Sequence, residues 1–375
     1  MRASLLAYRN SILQKQADKK IAIYEFVIYS DSIFTDEVEN GEIYSFLNML
    51  PPHDNLVSPS ITVRANWFID INKTIYSDTN SYTDDFHGGW FTDEIAALVS
   101  LKLGVRAHGG SIIRTFNYDN SEFGQPRADL TPCPILTKDR RASIAPTVSK
   151  NTAINTLDAI NDIGNLQEDK FNSLIKAARN FQNSLWICES SPNLAWLMIV
   201  SALETAAVQW EENKQSPIEK FEHSKPEMFE YLNNEKYREL IPIIASEFSS
   251  TFGVTKKFLD FCLNFLPDEP EVRPAVGQID WSRGGLKKIF NTIYGLRSKA
   301  LHTGQPFPEP MSSPPFQYDG IAEAAIIGKA LSTLGGTWTP KDAPINLNTF
   351  IYMAHSILNK WWNSLYTPQS SDITS

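Results

Sequence analysis

Apolar and polar positions follow two different rhythms along this chain. In the first 120 or so residues, "IAIYEFVIYSDS" (21–32) and "SITVRANWFIDI" (60–71) are rich in β-branched and aromatic residues and bounded by Asp, Asn, Ser or Pro. That composition and punctuation predict half-buried strands. "TDEIAALVSLKLGVRAHGG" (92–110) has a different period: Ile95, Leu98 and Leu101 fall on one helical face, Thr92 can cap, and Asp93 and Glu94 suit the first turn. Its stop is expected at Gly104 or at the Gly109, Gly110 pair.

From 121 to 165 both periods lapse, and Pro126, Pro132, Pro134 and Pro146 stand too close together for a helix, which predicts a linker. Beyond it the helical period takes over. In "EDKFNSLIKAARNFQNSLWICES" (168–190), Phe171, Leu174, Ile175, Ala178, Phe181 and Leu185 mark one face. "PNLAWLMIVSALETAAVQW" (192–210) opens on a proline and is apolar nearly all round, as a central helix should be. Helices are further expected in "PEMFEYLNN" (226–234), in "EKYRELIPIIASEFSS" (235–250) as far as Pro242 allows, and in "TKKFLDFCLNFL" (255–266). Three more are expected in "WSRGGLKKIFNTIYGLRSKALH" (281–302), "YDGIAEAAIIGKALSTL" (318–334) and "NLNTFIYMAHSILNKWWNSLY" (346–366). The expected architecture is an α+β N-terminal domain (1–120), a Pro-rich linker (121–165), an all-α helical bundle (166–366) and a polar tail (367–375).

Composition agrees with a folded, two-domain chain: 375 residues, 42% apolar and 21% charged, with nine Trp and twenty-one Phe. A net charge of -9 argues against wrapping nucleic acid over the whole surface and leaves room only for a local basic site. Cys133, Cys188 and Cys262 are widely spaced, offer no zinc pattern and read as buried free thiols in a reducing cytosol. The segment "MRASLLAYRNSILQKQADKK" (1–20) lacks a signal-peptide pattern, and the most apolar stretch is broken by Glu204. A soluble cytoplasmic protein without membrane contact is expected.

Candidate chemistry gathers in "NTIYGLRSKALHTGQPFP" (291–308), where Arg297 precedes His302 by five positions. Between Trp281 and Pro308 stand Arg283, Lys287, Lys288, Arg297 and Lys299, with no Asp or Glu. Arginine presents a planar fork that can hold two phosphate oxygens, and histidine exchanges protons near neutral pH. RNA cleavage without a metal needs such parts: a base for the ribose 2′-hydroxyl, an acid for the leaving 5′-oxygen, and a cation for the charge on phosphorus. Positions five apart on a regular helix are separated by about 140° in azimuth and about 7.5 Å along the axis. Arg297 and His302 would therefore converge only if the helix frays at "HTG", and one histidine cannot easily serve on both sides of phosphorus. A dimer would supply the second. The plain alternative is a basic helix terminus that complements its dipole.

With those residues in view, "IYGLRSKALHTG" resembles the signature of HEPN domains, in particular the Apea-like HEPN branch with its Tyr-x-x-Arg-Ser-x-x-x-His-like string. "VSALETAAV" resembles an earlier helix of that branch, and the likeness extends over about 166–366, including the tryptophan-opened "WSRGGLKKIF". The resemblance implies a helical homodimer acting as a metal-independent endoribonuclease, with no cofactor, of the kind found in prokaryotic toxin and antiphage systems. Carried onto this chain, it makes Arg297 and His302 the motif pair, and Ser298 the polar position where many catalytic members have Asn, Asp or His. Glu204 becomes the acid that orients Arg297 or the histidine by a hydrogen-bonded ion pair, where the plain reading is a surface carboxylate. Arg283, Lys287, Lys288 and Lys299 become RNA contacts. An N-terminal domain beside such a nuclease is expected to meet a trigger ligand or a regulatory partner.

The remaining polar clusters carry less. Asp84, Asp85 and His87 can be imagined as metal ligands, although a solvated turn is the simpler reading. Arg106, His108 and Arg114 belong to no phosphate-loop pattern, and His53, His223 and His355 stand alone, with His355 read as a satisfied core histidine. Two other functions stay open: a non-catalytic RNA-binding or protein-interaction module, and a structural role in which the basic helix end forms a dimer interface.

Overall fold

The computed structural model describes residues 3–17, 22–49, 57–67, 86–116, 122–127, 131–136, 144, 151–210, 216–234, 236–248, 253–315, 323, 331–333 and 335–366. At the middle of its sheet lies β1 (Ala22–Ser30), flanked by β5 (Ser58–Trp67) and β6 (His108–Phe116). The strands β2 (Ile33–Thr35), β3 (Val38–Glu39), β4 (Tyr44–Asn48), β7 (Gln125–Pro126) and β8 (Asn151–Ala153) complete this region. The six-stranded order is β3-β4-β5-β1-β6-β7, antiparallel throughout, while β2 and β8 form a separate parallel pair.

Register follows from alternation. Phe26 opposes Val63 and Ile28 opposes Ile61, and all four are fully buried. On the opposite face Glu25 stands between Arg64 and Arg114, accepting hydrogen bonds from Arg64 and lying 3.7 Å from the Arg114 guanidinium. Such cross-strand charge pairs stabilise the exposed side of an antiparallel sheet.

Helix α1 (Ala3–Gln16) packs Leu5, Ala7, Tyr8 and Ser11 against the fold. Helix α2 (Phe91–Leu103) begins one residue before Thr92. The cap position is Trp90, whose N–H donates to Asp93 Oδ2 at 2.8 Å, and Thr92 is buried within the first turn instead of capping it. The helix stops at Gly104, whose φ of 67° is the left-handed conformation that glycine adopts without strain.

Within the stretch expected to be a linker, residues 151–165 are built into the fold. They supply β8 and a 3₁₀ helix (Asn155–Asn165) that buries Leu157, Ile160 and Ile163. Asn161 Oδ1 accepts from the Ile43 and Tyr44 amides at 3.1 and 2.8 Å, tying this segment to β4.

The rest of the described chain is mainly helical: α3 (Glu168–Ile187), α4 (Pro192–Trp210), α5 (Pro217–Ser224), α6 (Pro226–Leu232), α7 (Leu240–Glu247), α8 (Val254–Asn264), α9 (Arg283–Thr303) and α10 (Leu347–Ser364). Pro242 falls in the first turn of α7, where no intrahelical N–H is needed, so it sets the start of that helix. The helix expected over 318–334 lies outside the described residues except at Glu323 and 331–333. Leu331–Thr333 is a strand, β9, paired with β10 (Gly336–Trp338). Gly335, at a φ of 97°, permits the chain reversal between them.

An α+β region is thus followed by a helical one, and a single hydrophobic cluster contains residues of both, from Leu5 to Leu365. Helix α4 runs through its middle, burying Trp196, Ile199, Val200, Leu203 and Ala206. A smaller cluster of Phe221, Leu232, Ile241 and Ala245 holds α5, α6 and α7 together. Sheet and helices are also joined by the fully buried Arg106, which donates to Asp31, to Glu189 and to the Leu185 carbonyl. Cys188 and Cys262 are buried, whereas Cys133, expected to be buried too, is exposed between Pro132 and Pro134. No helix among the described residues is long and apolar enough to cross a membrane.

Candidate nucleic-acid site on α4 and α9

Helix α9 is anchored at its start by Ser282, whose Oγ accepts from the Gly285 amide at 3.1 Å. Leu286, Ile289, Phe290 and Ile293 face the core, and the helix stays regular to Thr303 before Gly304, at a φ of 70°, ends it. Tyr294 and Arg297, three residues apart, are neighbours on the edge of the buried face. There they meet Glu204 on α4.

Glu204 receives two hydrogen bonds in this corner. Arg297 Nη2 donates to Oε2 at 2.7 Å and Tyr294 Oη donates to Oε1 at 3.0 Å. The Arg297 guanidinium carbon lies 5.7 Å from the Tyr294 ring centroid, and that ring packs on Phe258 of α8 at 4.9 Å. The two charged side chains retain 20% and 16% of their exposure, so their attraction is only partly screened. Burial and the adjoining Glu204 carboxylate push the Tyr294 phenol up to about 12, so it remains a proton donor to Glu204. Among the described residues no acceptor meets Arg297 Nε or Nη1, and Nε is also shut off from solvent. The arrangement holds a cation in fixed orientation with part of its donor fork uncommitted.

His302 is exposed in the last turn of α9. Because the helix does not fray there, Arg297 and His302 lie about 140° apart around the axis and do not converge within one chain. Ser298 lies one turn before His302 and Lys299 three residues before it, so both neighbour the imidazole on the helix surface. Lys287 and Lys288 are exposed further toward the N-terminus. Arg283 has a structural commitment: its Nη1 donates to the Leu263 carbonyl at 2.7 Å, closing the last turn of α8. The stretch free of acids in sequence is less so in space, since Asp280 lies within electrostatic reach of Lys288, and Asp342 of Lys299.

Other candidates resolve differently. Asp84, Asp85 and His53 lie outside the described residues. His87 is not part of a solvated turn: its side chain is buried and its Nε2 lies 2.5 Å from Glu94 Oε1. Among the described residues no group of three His, Cys, Asp or Glu could hold a metal ion. His355 Nε2 meets the Lys102 carbonyl at 3.3 Å at the foot of α2. Arg114 serves the sheet through Glu25 and the Phe123 carbonyl, and His223 is carried on α5. The residue that sequence reasoning left out is Tyr294, although its spacing from Arg297 places the two side by side on any helix.

Comparison of the chain with protein-family models, with curated proteins and with solved structures yields no match.

Proposed function

We propose that this protein is a metal-independent endoribonuclease of HEPN type, acting as a dimer in which α9 of each chain contributes Arg297 and His302. The observation that carries this reading is the Glu204, Tyr294 and Arg297 cluster, which fixes a guanidinium five residues before an exposed histidine. In the proposed reaction the ribose 2′-oxygen gives its proton to one imidazole and bonds to phosphorus. The bond from phosphorus to the 5′-oxygen breaks, and that oxygen takes a proton from the second chain's imidazole. Arg297 offsets the charge that builds on the phosphoryl oxygens, with Glu204 and Tyr294 as positioning residues. Lys287, Lys288 and Lys299 hold flanking phosphates, and Ser298 lies beside the histidine. The toxin or antiphage setting implied by the resemblance belongs to the same proposal, as does a trigger acting through the N-terminal region.

The non-catalytic alternative, an RNA-binding or protein-interaction module, draws on one observation: Arg297 and His302 face different ways on an unfrayed helix. The two readings separate on Arg297→Ala and His302→Ala, assayed on labelled RNA in EDTA. Loss of a positioned acid, base or charge-stabilising donor typically costs about 100-fold or more in rate. Each variant is expected to lose cleavage by that factor while melting cooperatively like the parent. Cleavage by His302→Ala at the parent rate would defeat the catalytic reading.

A further inference from the structure

A two-lobed cleft opens where the first turn of α2, the start of β6 and the C-terminal half of α3 meet. One lobe, of about 400 Å³, lies against Trp90, Gly109, Gly110 and Arg127. The other, of about 310 Å³, lies against Arg179 and Trp186. Asp93 and His108 line both, so the lobes adjoin. Their volumes are those of small-molecule sites.

The composition of the cleft repeats. Each lobe has one tryptophan and one arginine, and neither arginine forms an ion pair among the described residues. Arg127 is exposed, and Arg179 Nη2 donates to the Gly88 carbonyl at 3.3 Å. Asp93 also lines both lobes, but its Oδ2 already accepts from the Trp90 amide, so in a chain of net charge -9 the two cations outnumber it and mark the recess for an anion. Exposed apolar surface gathers at the same place. Trp90, in the first lobe, is 61% exposed and Ile135, in the second, 90%. Trp196, Trp361 and Trp362 are by contrast fully buried, so Trp90 stands in solvent where the fold could have covered it.

The cleft is also built rigidly. Trp186 Nε1 and Gln182 Nε2 both donate to the Ala107 carbonyl, at 3.0 and 2.6 Å, and His108 meets the Trp186 ring edge-on at 6.0 Å. A Cβ on Gly109 would stand 2.6 Å from the Thr92 carbonyl oxygen. Only glycine lets β6 lie this close to the first turn of α2, beside the first lobe.

We propose that this cleft binds a dinucleotide, with one base against Trp90, the other against Trp186, and the linking phosphate within reach of Arg127, Arg179 and His108. Aromatic faces accept bases by stacking, and guanidinium groups fix phosphate, so a doubled tryptophan and arginine set matches a doubled base on a charged link. The site shares no residue with the α4 and α9 cluster, and the proposal stands whether or not that cluster cleaves RNA.

Calorimetric titration of the full-length protein with the dinucleoside monophosphate ApA tests it, with AMP as the comparison. The expected result is saturable binding at one ApA per chain, at least tenfold tighter than AMP, and weakened at least tenfold in both Trp90→Ala and Arg127→Ala. Both side chains are exposed, so the variants should fold, and thermal melts check this. Absence of saturable ApA binding, AMP binding as tight as ApA, or ApA binding undiminished in either variant would overturn the proposal.

Discussion

Tyr294 shows how much one side chain can report about the candidate site. Its hydroxyl donates to Glu204 and its ring lies under Arg297, so it links a carboxylate and a cation that come from different helices. The phenol is raised from an ordinary 10.0 to about 12 by burial, by the Glu204 charge and by their hydrogen bond. Between those values the unfolded chain has released this proton while the folded chain still binds it. Stability is therefore fully present below pH 10 and falls as pH rises toward about 12. Tyr294→Phe is expected to make that alkaline loss shallower in thermal melts taken across pH 9 to about 12. An identical slope in the variant would mean that the phenol is not coupled to Glu204 in solution. Tyr8, Tyr29, Tyr44, Tyr352 and Tyr366 are raised as well, so they leave a residual slope in the variant.

Of the glycines in and just after helix α9, two have roles that differ in sign. Gly295 lies in the helix interior with open space where a Cβ would go, while Gly304 takes the left-handed conformation that ends the helix. Gly295→Ala should raise stability by about 0.5–1 kcal/mol, since alanine loses less backbone entropy in a helix. Gly304→Ala should lower it by about 1 kcal/mol, because a Cβ is disfavoured at that φ. Urea unfolding of both variants checks the pair, and a stabilising Gly304→Ala would contradict the assigned cap. The α9 stop was legible in the sequence because glycine after a periodic run has a specific backbone meaning. So were β1, β5, α2 and α3 from their patterns of apolar residues, and α4 from its opening proline and nearly continuous apolar run. The 3₁₀ helix was not, because Leu157, Ile160 and Ile163 recur every three residues, a period that a search for α-helices passes over. Nor was the first turn of α2, where the Asp93 side chain takes the capping role expected of Thr92. The meeting of Glu204 with Arg297 was legible only through the family resemblance. Nothing local to α4 or α9 brings two residues 93 positions apart together.

At the scale of the whole molecule, the region that carries the candidate site is not held apart from the sheet. One hydrophobic cluster and the buried Arg106, Asp31 and Glu189 group connect them, and the proposed dinucleotide cleft lies against α3, which packs on α4. A ligand in that cleft would thus touch a helix adjoining the one that carries Glu204. Within one chain, however, Arg297 and His302 face apart, and the proposed chemistry is complete only with a second copy. The most direct test is the chemistry of the RNA ends left by the purified protein in EDTA. Attack by the 2′-oxygen, assisted by His302 and Arg297, predicts 2′,3′-cyclic phosphate and 5′-hydroxyl ends and no cleavage of a 2′-deoxy substrate. Cleavage of the 2′-deoxy substrate, ends bearing a 5′-phosphate, or activity that disappears on chelation would contradict the account.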